Sequence, residues 1–502
     1  MIVSLEKNSY NPEKKMTLKT ADEYKVSLKK MRPNIYKFGE LIQDVTTHKA
    51  TKNTIEGHSQ TFSAQHNPEY AELLTTVSHL TSEKISRYLS LIQSPEDMIA
   101  NSKMKRLLFQ LTGTCTGGRC VGWNSINAMW ATTFDIDKEY GTDYHQKLKD
   151  WLICAQKNDI TLSGALTDPK GDRTKSPTQQ KDPDMNLHIV EIKEDGIIVR
   201  GAKVMICGVA ASNEIFILPG SAYKEEDKDY AVSFVIPRDT KGLTIIETRR
   251  PSDTREEEEG FDIPVKKGGI TQAYLFFEDV FVPMERVFMC REYKYALSAV
   301  LNFIMPYRAA IGGCVAGQGD VKIGASILVA RANGLSSKLF NDKLTKMYIN
   351  NETTFGMGIA ASVLGKKHPS GIWQPDPLLS NVNKVHVATL PYETSILAQD
   401  IAGGIAETGC IPSYKDFYDP KYGHLVQKYL KACSSAESRV KAARLVEWAT
   451  IGAGVPGCMH GGGSPDGAKL VIRANADLEK KVQIARRLAG IEEEIPDPEK
   501  KK

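Results

Sequence analysis

The stretch Leu187–Arg200, LHIVEIKEDGIIVR, shows most clearly how this chain folds. Two apolar, β-branched runs flank Lys193–Asp195, and such runs around a short polar turn predict a β-hairpin. Further β-rich runs follow, with turn residues between them, at 214–218, 230–236, 243–248 and 272–281. Short strands punctuated by turns are typical of a small β-sandwich or barrel, which we expect in the middle of the chain.

Both flanks of this β region are predicted to be helical. Thr20–Glu23 has the spacing of a capping box, and Ser94–Asp97 combines an N-cap serine, a proline at the first helical position and acids in the first turn. Residues 439–453 and 478–488 carry apolar residues at helical spacing. The sequence therefore predicts an α+β fold of three domains: an N-terminal helical domain (1–154), a central β domain (155–289) and a C-terminal helical bundle (290–502).

Composition narrows the function classes. The 502 residues are 41% hydrophobic and 25% charged, which argues against disorder, and the net charge of +4 without a basic patch argues against nucleic-acid binding. No signal peptide and no uninterrupted apolar run of about 18 residues is present, so we expect a cytoplasmic protein without membrane contact. The 9 cysteines do not form a secreted disulfide framework; most are expected to be free thiols, and a subset could bind metal.

The segment Leu166–Arg173 concentrates turn residues and two cations, Lys170 and Arg173. An ordered loop with exposed backbone N–H groups and fixed cations suits a phosphate or a polarised heterocycle; the alternative is a solvated surface turn. Asp400–Gly404 contains a Gly-Gly break in a helical region, which allows the backbone to approach either a pyrophosphate or another helix.

Taken together, the motifs resemble those of the 4-hydroxybutyryl-CoA dehydratase family. That family is related to the flavin-dependent 4-hydroxyphenylacetate 3-hydroxylases and shares the acyl-CoA dehydrogenase architecture. The resemblance covers nearly the whole chain, in order. The matching segments are 103–108, 119–122, 140–145, 166–173, 180–184, 200–203, 227–234, 312–314, 400–404 and 459–461.

The resemblance implies an FAD cofactor and a homotetramer in which a neighbouring subunit helps to complete the cofactor site. The loop Leu166–Arg173 would line the flavin, and the segment Asp400–Gly404 would approach the cofactor from the neighbouring subunit. The predicted FAD-binding residues are Leu166, Thr167, Asp168, Pro169, Lys170, Gly171, Asp172, Arg173, Gly208, Asp400, Ile401, Ala402, Gly403 and Gly404.

The resemblance also implies a [4Fe-4S] cluster held by three cysteines and one histidine, and thiolates are the natural ligands of such clusters. Cys115, Cys120 and Cys314 fall at the three cysteine positions, with one residue more between the first two than the family pattern has. The histidine position is occupied by Tyr307. The alternative is that these are ordinary buried thiols and the cluster has been lost.

At several other positions where the family has polar residues, this chain has apolar or small ones. Gly457 replaces a glutamate, Ile311 a tyrosine and Val315 a lysine, and Met205-Ile206 replaces a His-Gln pair. A dehydration that removes an unactivated proton needs acid–base groups near the flavin.

Three residues remain as catalytic candidates. Tyr307 is one, and its neighbour Arg308 predicts a lowered phenol pKa. His460 is the second, with a structural role in its Gly-rich turn as the alternative. Arg119 is the third; it would face the substrate, or serve only as a cation at a helix start.

Three functions stay open at this point. The first is an FAD enzyme that eliminates water from a short acyl-CoA or moves its double bond. The second is a flavin-dependent monooxygenase or oxidoreductase without iron, which an apolar pocket favours. The third is an inactive flavin-binding homologue. The bound acyl group or ring, and the use of CoA itself, do not follow from the residues.

Overall fold

The computed structural model describes residues 18–115, 117–249, 258, 260–262, 271–407, 409–452, 461–493 and 495. Helices begin the chain, and their starts follow the sequence signals. The Thr20 side chain accepts from the Glu23 N–H in a complete capping box, and the Ser94 side chain accepts from the Asp97 N–H. The elements are α1 Ala21–Lys29, β1 Ile35–Lys37, β2 Glu40–Leu41, α2 Lys52–His66, α3 Ala71–Leu74, β3 Thr75–Val77, β4 Lys84–Ser86, α4 Pro95–Thr112, α5 Gly117–Tyr140 and α6 Tyr144–Lys157.

The middle of the chain forms two packed β-sheets, and the predicted hairpin is confirmed as the pair β6–β7, in which Ile192 pairs with Ile197. The four other predicted β runs are confirmed as β8 to β11. The strands are β5 Leu162–Ala165, β6 His188–Ile192, β7 Gly196–Cys207, β8 Glu214–Ile217, β9 Val232–Pro237, β10 Leu243–Glu247, β11 Gln272–Pro283 and β12 Val287–Cys290.

One sheet has six strands in the order β2-β1-β10-β11-β7-β6, and the other has four in the order β12-β9-β8-β5. Their facing side chains form one buried core, in which Phe234 of β9 meets Phe277 of β11 edge to face. Strand β1 pairs in parallel with β10, so a segment from the first 154 residues belongs to the central sheet. The domain boundaries stay a prediction, but the pairing of β1 with β10 joins residues from either side of the first predicted boundary.

Helices return after β12 and build the last part of the chain. They are α7 Ala296–Ala332, α8 Lys338–Val363, α9 Pro377–Val387, α10 Leu390–Ala402, α11 Gly404–Glu407, α12 Tyr414–Phe417, α13 Gly423–Leu430, α14 Ala436–Glu447, α15 Pro465–Asn475 and α16 Leu478–Ala489, with β13 Lys366–Lys367 and β14 Trp373–Gln374. Helix α16 has no buried side chain, and Leu478 and Leu488 on it are 57% and 80% exposed.

Helix α7 is the central helix of this part and packs against α4, α5, α8, α9 and α14. Tyr293–Ala332 is long and apolar enough to cross a membrane by length and composition, but 67% of its most apolar window is buried inside the protein. Such burial is what the core helix of a soluble protein shows.

Glycines let α7 approach its neighbours at backbone distance. A Cβ added at Gly313 would lie 2.2 Å from the carbonyl oxygen of Ser102 in α4, and one at Gly317 would lie 2.5 Å from that of Arg106. No side chain fits in either space. The glycines therefore set the distance between α4 and α7, the two helices on either side of the site described below.

We expect Gly313→Ala to lower the free energy of unfolding by about 2 kcal/mol, because the added methyl group overpacks a backbone contact. Gly324→Ala is the matched control in the same helix, since nothing lies within 4 Å of its added Cβ. That substitution should stabilise the protein by about 0.5–1 kcal/mol through helix propensity. Chemical denaturation of both variants checks this, and equal effects would contradict the packing argument.

Candidate functional site

The first half of the predicted flavin loop is fastened by a buried lysine. Lys203 of β7 is 2% exposed, and its Nζ donates to the carbonyls of Leu166 (3.0 Å) and Leu218 (2.9 Å). The same Nζ lies 2.6 Å from Asp168 Oδ1, while Tyr223 donates to Asp168 Oδ2 at 3.2 Å. Burial lowers the pKa of Lys203, and the Asp168 carboxylate opposes that shift. The loop is thus held by a buried ion pair that the sequence analysis did not identify.

The second half of the loop is exposed and folds on itself. Asp172 accepts from the N–H and hydroxyl of Thr174, and these hydrogen bonds lower the pKa of Asp172. Gly171 has φ +50°, and Lys170 and Arg173 are exposed beside it. The loop therefore presents its two cations to the outside, which agrees both with a site for an anionic or heterocyclic ligand and with a solvated surface turn.

Met205 lies next to this loop in an unusual conformation. Its φ is +57°, in the left-handed region that non-glycine residues rarely adopt, at a bulge where β7 loses register with β11. The preceding residue, Val204, donates its N–H to the Thr167 carbonyl at 2.9 Å. The Met205 side chain is 50% exposed. Backbone strain of this kind often lies at ligand sites.

The predicted flavin residue Gly208 lies where β7 ends against the start of α5. Its φ is +67°, and an added Cβ would lie 2.7 Å from the Cα of Gly118 and 3.4 Å from His58 Nε2. His58 is 2% exposed; its Nδ1 bonds the Thr54 carbonyl, and its Nε2 has no hydrogen-bond partner among the described residues. Burial lowers the pKa of His58 to about 4. Sequence patterns gave no signal for this histidine.

The structure brings the three predicted cluster cysteines to one pocket. Cys115 follows α4, Cys120 lies in the first turn of α5, and Cys314 lies on α7. All three line a small cavity of about 10 Å³, together with Lys105, Leu108, Phe109 and Thr114. Among the described residues, no three His, Cys, Asp or Glu side chains are arranged to hold a single metal ion.

Electrostatics distinguish these thiols from one another. Cys115 and Cys314 hydrogen-bond each other, which lowers the pKa of Cys314 to about 7 and raises that of Cys115. Burial raises the pKa of Cys120 to about 11 and that of Cys207 to about 12. Cys207, at the end of β7, interacts electrostatically with Cys115 and Cys120, so a fourth thiol, which the sequence analysis did not single out, lies near the site.

Tyr307 lies beside the thiols. Its ring stacks on Phe303 with centroids 5.8 Å apart, and the Nζ of Lys105 is 5.7 Å from its centroid. Burial, followed by the nearby thiols, raises the pKa of Tyr307 well above its usual range. The prediction that Arg308 lowers this pKa is wrong, because the Arg308 guanidinium turns to other partners.

Those partners are Asn381 Oδ1 and the Gly462 carbonyl, the latter at 2.8 Å from Arg308 Nε. Burial lowers the pKa of Arg308 to about 10. A Cβ at Gly462 would lie 2.8 Å from the Tyr307 ring, so 461–463 pack over both side chains. His460, a predicted catalytic residue, and Gly457 lie outside the described residues.

The third catalytic candidate, Arg119, lies in the core. It is 1% exposed between the rings of Phe62 and Tyr88, with its guanidinium carbon 4.3 and 4.5 Å from their centroids. It donates to Thr61 Oγ1 at 2.7 Å and pairs with Asp159 at 3.5 Å. These contacts account for the burial of the Arg119 guanidinium, and its catalytic role stays a prediction.

The Gly-Gly segment ends α10. Ile401 and Ala402 are buried among the helices, whereas Asp400 is paired with Lys343 at 2.5 Å near the surface. Gly403 has φ +70°, and no atom lies within 4 Å of an added Cβ at Gly403 or Gly404. Within the described residues, steric crowding does not require glycine at either position, and the role of this segment at the cofactor stays a prediction.

We expect stability to fall on acidification because of His58. Its pKa in the folded protein, about 4, lies below the value of about 6.5 expected in the unfolded chain, so the unfolded state takes up the proton first. Stability present above about pH 6.5 is therefore lost as the pH falls toward 4, by about 3 kcal/mol. Unfolding curves of the wild type and His58→Gln between these pH values check this; equal pH slopes would contradict it.

Comparisons with known proteins confirm the resemblance. The 4-hydroxyphenylacetate 3-hydroxylase N-terminal family model matches residues 20–289, and the corresponding C-terminal model matches 298–490. The 4-hydroxybutyryl-CoA dehydratase/vinylacetyl-CoA Δ-isomerase of Clostridium aminobutyricum is 41% identical over 491 residues, 94% of this chain and 100% of that enzyme.

Solved structures give the same result. An oxygen-tolerant archaeal 4-hydroxybutyryl-CoA dehydratase from N. maritimus matches with a TM-score of 0.91 and 38% identity, over 96% of this chain and 97% of that one. The oxygenase component of 4-hydroxyphenylacetate 3-monooxygenase, solved with FAD, has the same fold, with a TM-score of 0.83 and 21% identity over 94% and 98% of the chains. The chain therefore belongs to the 4-hydroxybutyryl-CoA dehydratase family, within the wider 4-hydroxyphenylacetate 3-hydroxylase family that both of its halves match.

Proposed function

We propose that the chain is an FAD-dependent enzyme that acts on a short acyl-CoA thioester, eliminating water or moving a double bond. The observation that carries this proposal is the 41% identity to the Clostridium aminobutyricum dehydratase/isomerase along that enzyme's full length. The solved dehydratase structure also shares far more sequence with this chain than the oxygenase component does, 38% against 21%.

Two features of the loop after β5 support its proposed role in flavin binding. Its first half is immobilised by the Lys203–Asp168 pair, while Lys170 and Arg173 are exposed in its second half. The predicted FAD residues 166–173 and Gly208 would hold the cofactor, which supplies electron transfer when bound. The protein's contribution is to orient the ring and to shield it from water. Met205, exposed and strained beside the loop, is placed to contact the bound ring system.

An apolar wall beside the thiols supports a water-poor substrate site. Ile311 and Val315 of α7 pack with Val387 of α9, and Tyr307 and Cys314 border this cluster. In such surroundings a single proton-carrying group acts without competition from water. Tyr307 is the proposed proton carrier among the described residues, with Arg308 holding 461–463 over it, and His460 is kept as a second candidate.

The proposal includes the homotetramer that the family resemblance implies. It also includes the three-domain, acyl-CoA dehydrogenase-like layout and a location in the cytoplasm. Two observations support association between chains. Gly403 and Gly404 have open space around them, so that Asp400–Gly404 can reach a neighbour's cofactor. In addition, α16 exposes Leu478 and Leu488 without covering them within its own chain.

The second candidate is a flavin-dependent monooxygenase or oxidoreductase without iron. One observation favours it: apolar Ile311 and Val315 form the wall where the dehydratase family has polar groups. An aromatic substrate would suit such a wall. An inactive flavin-binding homologue has no observation in its favour and is treated as an outcome of the assay.

The deciding experiment is anaerobic purification followed by a visible spectrum and three assays. We expect flavin absorbance and turnover of vinylacetyl-CoA, 4-hydroxybutyryl-CoA or both. Hydroxylation of 4-hydroxyphenylacetate with reduced flavin and oxygen, without turnover of either thioester, would replace the proposal by the second candidate. Bound flavin without any turnover would indicate an inactive homologue.

We expect Lys203→Met to weaken FAD binding at least roughly tenfold, because it leaves the Asp168 carboxylate buried without its cation and frees the loop. Lys175→Met is the matched control just after this loop, since Lys175 is 49% exposed and, among the described residues, its ion pair is with the exposed Asp172. That control should retain FAD. The flavin-to-protein ratio after gel filtration and a fluorescence titration measure both variants, and equal FAD affinities would show that the ion pair does not support the cofactor loop.

A further inference from the structure

The pocket where the family carries its iron–sulfur cluster does not fit a cluster in this chain. The cavity lined by Cys115, Cys120 and Cys314 has about 10 Å³, and a single water already needs on the order of 10–15 Å³. The rest of its lining is formed by Lys105, Leu108, Phe109 and Thr114. Four irons and four sulfides need more room than this, so the lining side chains would have to move.

Two of the thiols also donate to backbone carbonyls of their own helices. Cys120 Sγ donates to the Gly117 carbonyl at 3.3 Å and Cys314 Sγ donates to the Ile311 carbonyl at 3.2 Å, and both bonds need the S–H proton. In a cubane cluster each thiolate is bonded to its own iron.

The fourth ligand position adds a third, independent observation. Tyr307 stacks on Phe303 and is covered by 461–463, with Gly462 directly over its ring. The Nζ of Lys105 lies 5.7 Å from the centroid of the same ring. A phenol fixed in this packing offers no imidazole nitrogen, so it is a poor replacement for the histidine of the family pattern.

We propose that this chain works as an iron-free flavoprotein, and that its thioester chemistry is limited to moving a double bond. This inference rests on the proposed function. Expelling a hydroxyl group from an acyl chain needs a Lewis acid or a strong proton donor at that oxygen, which the thiol pocket does not provide.

Double-bond migration makes no such demand. In a 3-enoyl thioester, the C2–H bond breaks and its proton goes to an acid–base group, while the double bond shifts from C3–C4 to C2–C3. A proton is then delivered to C4, forming a C4–H bond. Protons and electrons balance, no group leaves, and no oxidant is consumed. The apolar wall of Ile311, Val315 and Val387 suits this uncharged substrate segment.

The test uses the full chain, purified without oxygen and incubated with ferrous iron and sulfide. We expect FAD to be bound with almost no iron or acid-labile sulfide, and no electron paramagnetic resonance signal of a reduced cluster. Vinylacetyl-CoA should be isomerised, and dehydration of 4-hydroxybutyryl-CoA should be at least roughly hundredfold slower. About four irons per chain with a cluster signal would overturn the iron-free assignment.

The outcomes separate this inference from the proposed function. Rapid dehydration without iron overturns the limit to double-bond migration while supporting the proposed function. Absence of turnover of either thioester contradicts the proposed function, and with it the reaction assigned here, whatever the iron content.

Alkylation provides a readout that does not depend on activity. After anaerobic denaturation without chelator, Cys115, Cys120 and Cys314 should be labelled as fully as the exposed reference thiols Cys410 and Cys433. Labelling of the three that requires prior iron chelation would overturn the inference.

Discussion

The backbone contact between α4 and α7 is the constraint on which the site depends. Gly313 and Gly317 allow α7 to pass α4 with no side chain between them. Cys314 follows the first of these glycines, so the same contact brings its thiol to Cys115 and Cys120. It also places Tyr307 next to Lys105 of α4. A side chain at either glycine would move every one of these groups relative to the β-sheets.

A second structural constraint comes from the β-sheets and acts on the loop after β5, which is the predicted flavin loop. Lys203 ties the loop after β5 to its own strand, and Gly208 at the end of that strand meets Gly118 of α5. Strand β7 thus holds the loop after β5 through Lys203, and the residue that follows the strand, Gly208, contacts helix α5, which carries Cys120. The distance between the loop after β5, which is proposed to hold the flavin, and the thiol pocket is therefore set by a single strand. Such a constraint suits chemistry in which the substrate must lie between two fixed surfaces.

Sequence reasoning found the elements whose signals are local. The capping box at Thr20, the proline start of α4 and the hairpin at 187–200 depend on neighbouring residues, and the structure has all three. The convergence of Cys115, Cys120 and Cys314 came from the family pattern. By contrast, the Lys203–Asp168 pair, the β1–β10 pairing and the thiol of Cys207 join residues far apart in the chain. No periodicity or spacing reports such contacts. The direction of the Tyr307 pKa shift was missed because sequence adjacency to Arg308 says nothing about where the guanidinium turns.

Helix α16 bears on what the functional unit is. It has twelve residues and no buried side chain, and a helix that short is marginal in water without packing. In the homotetramer proposed above, a neighbouring chain would supply this packing by covering the apolar stripe that carries Leu478 and Leu488. Dilution shifts any such assembly toward separate chains by mass action. If the proposed cofactor site takes its Gly-Gly segment from a neighbour, FAD binding would then depend on protein concentration.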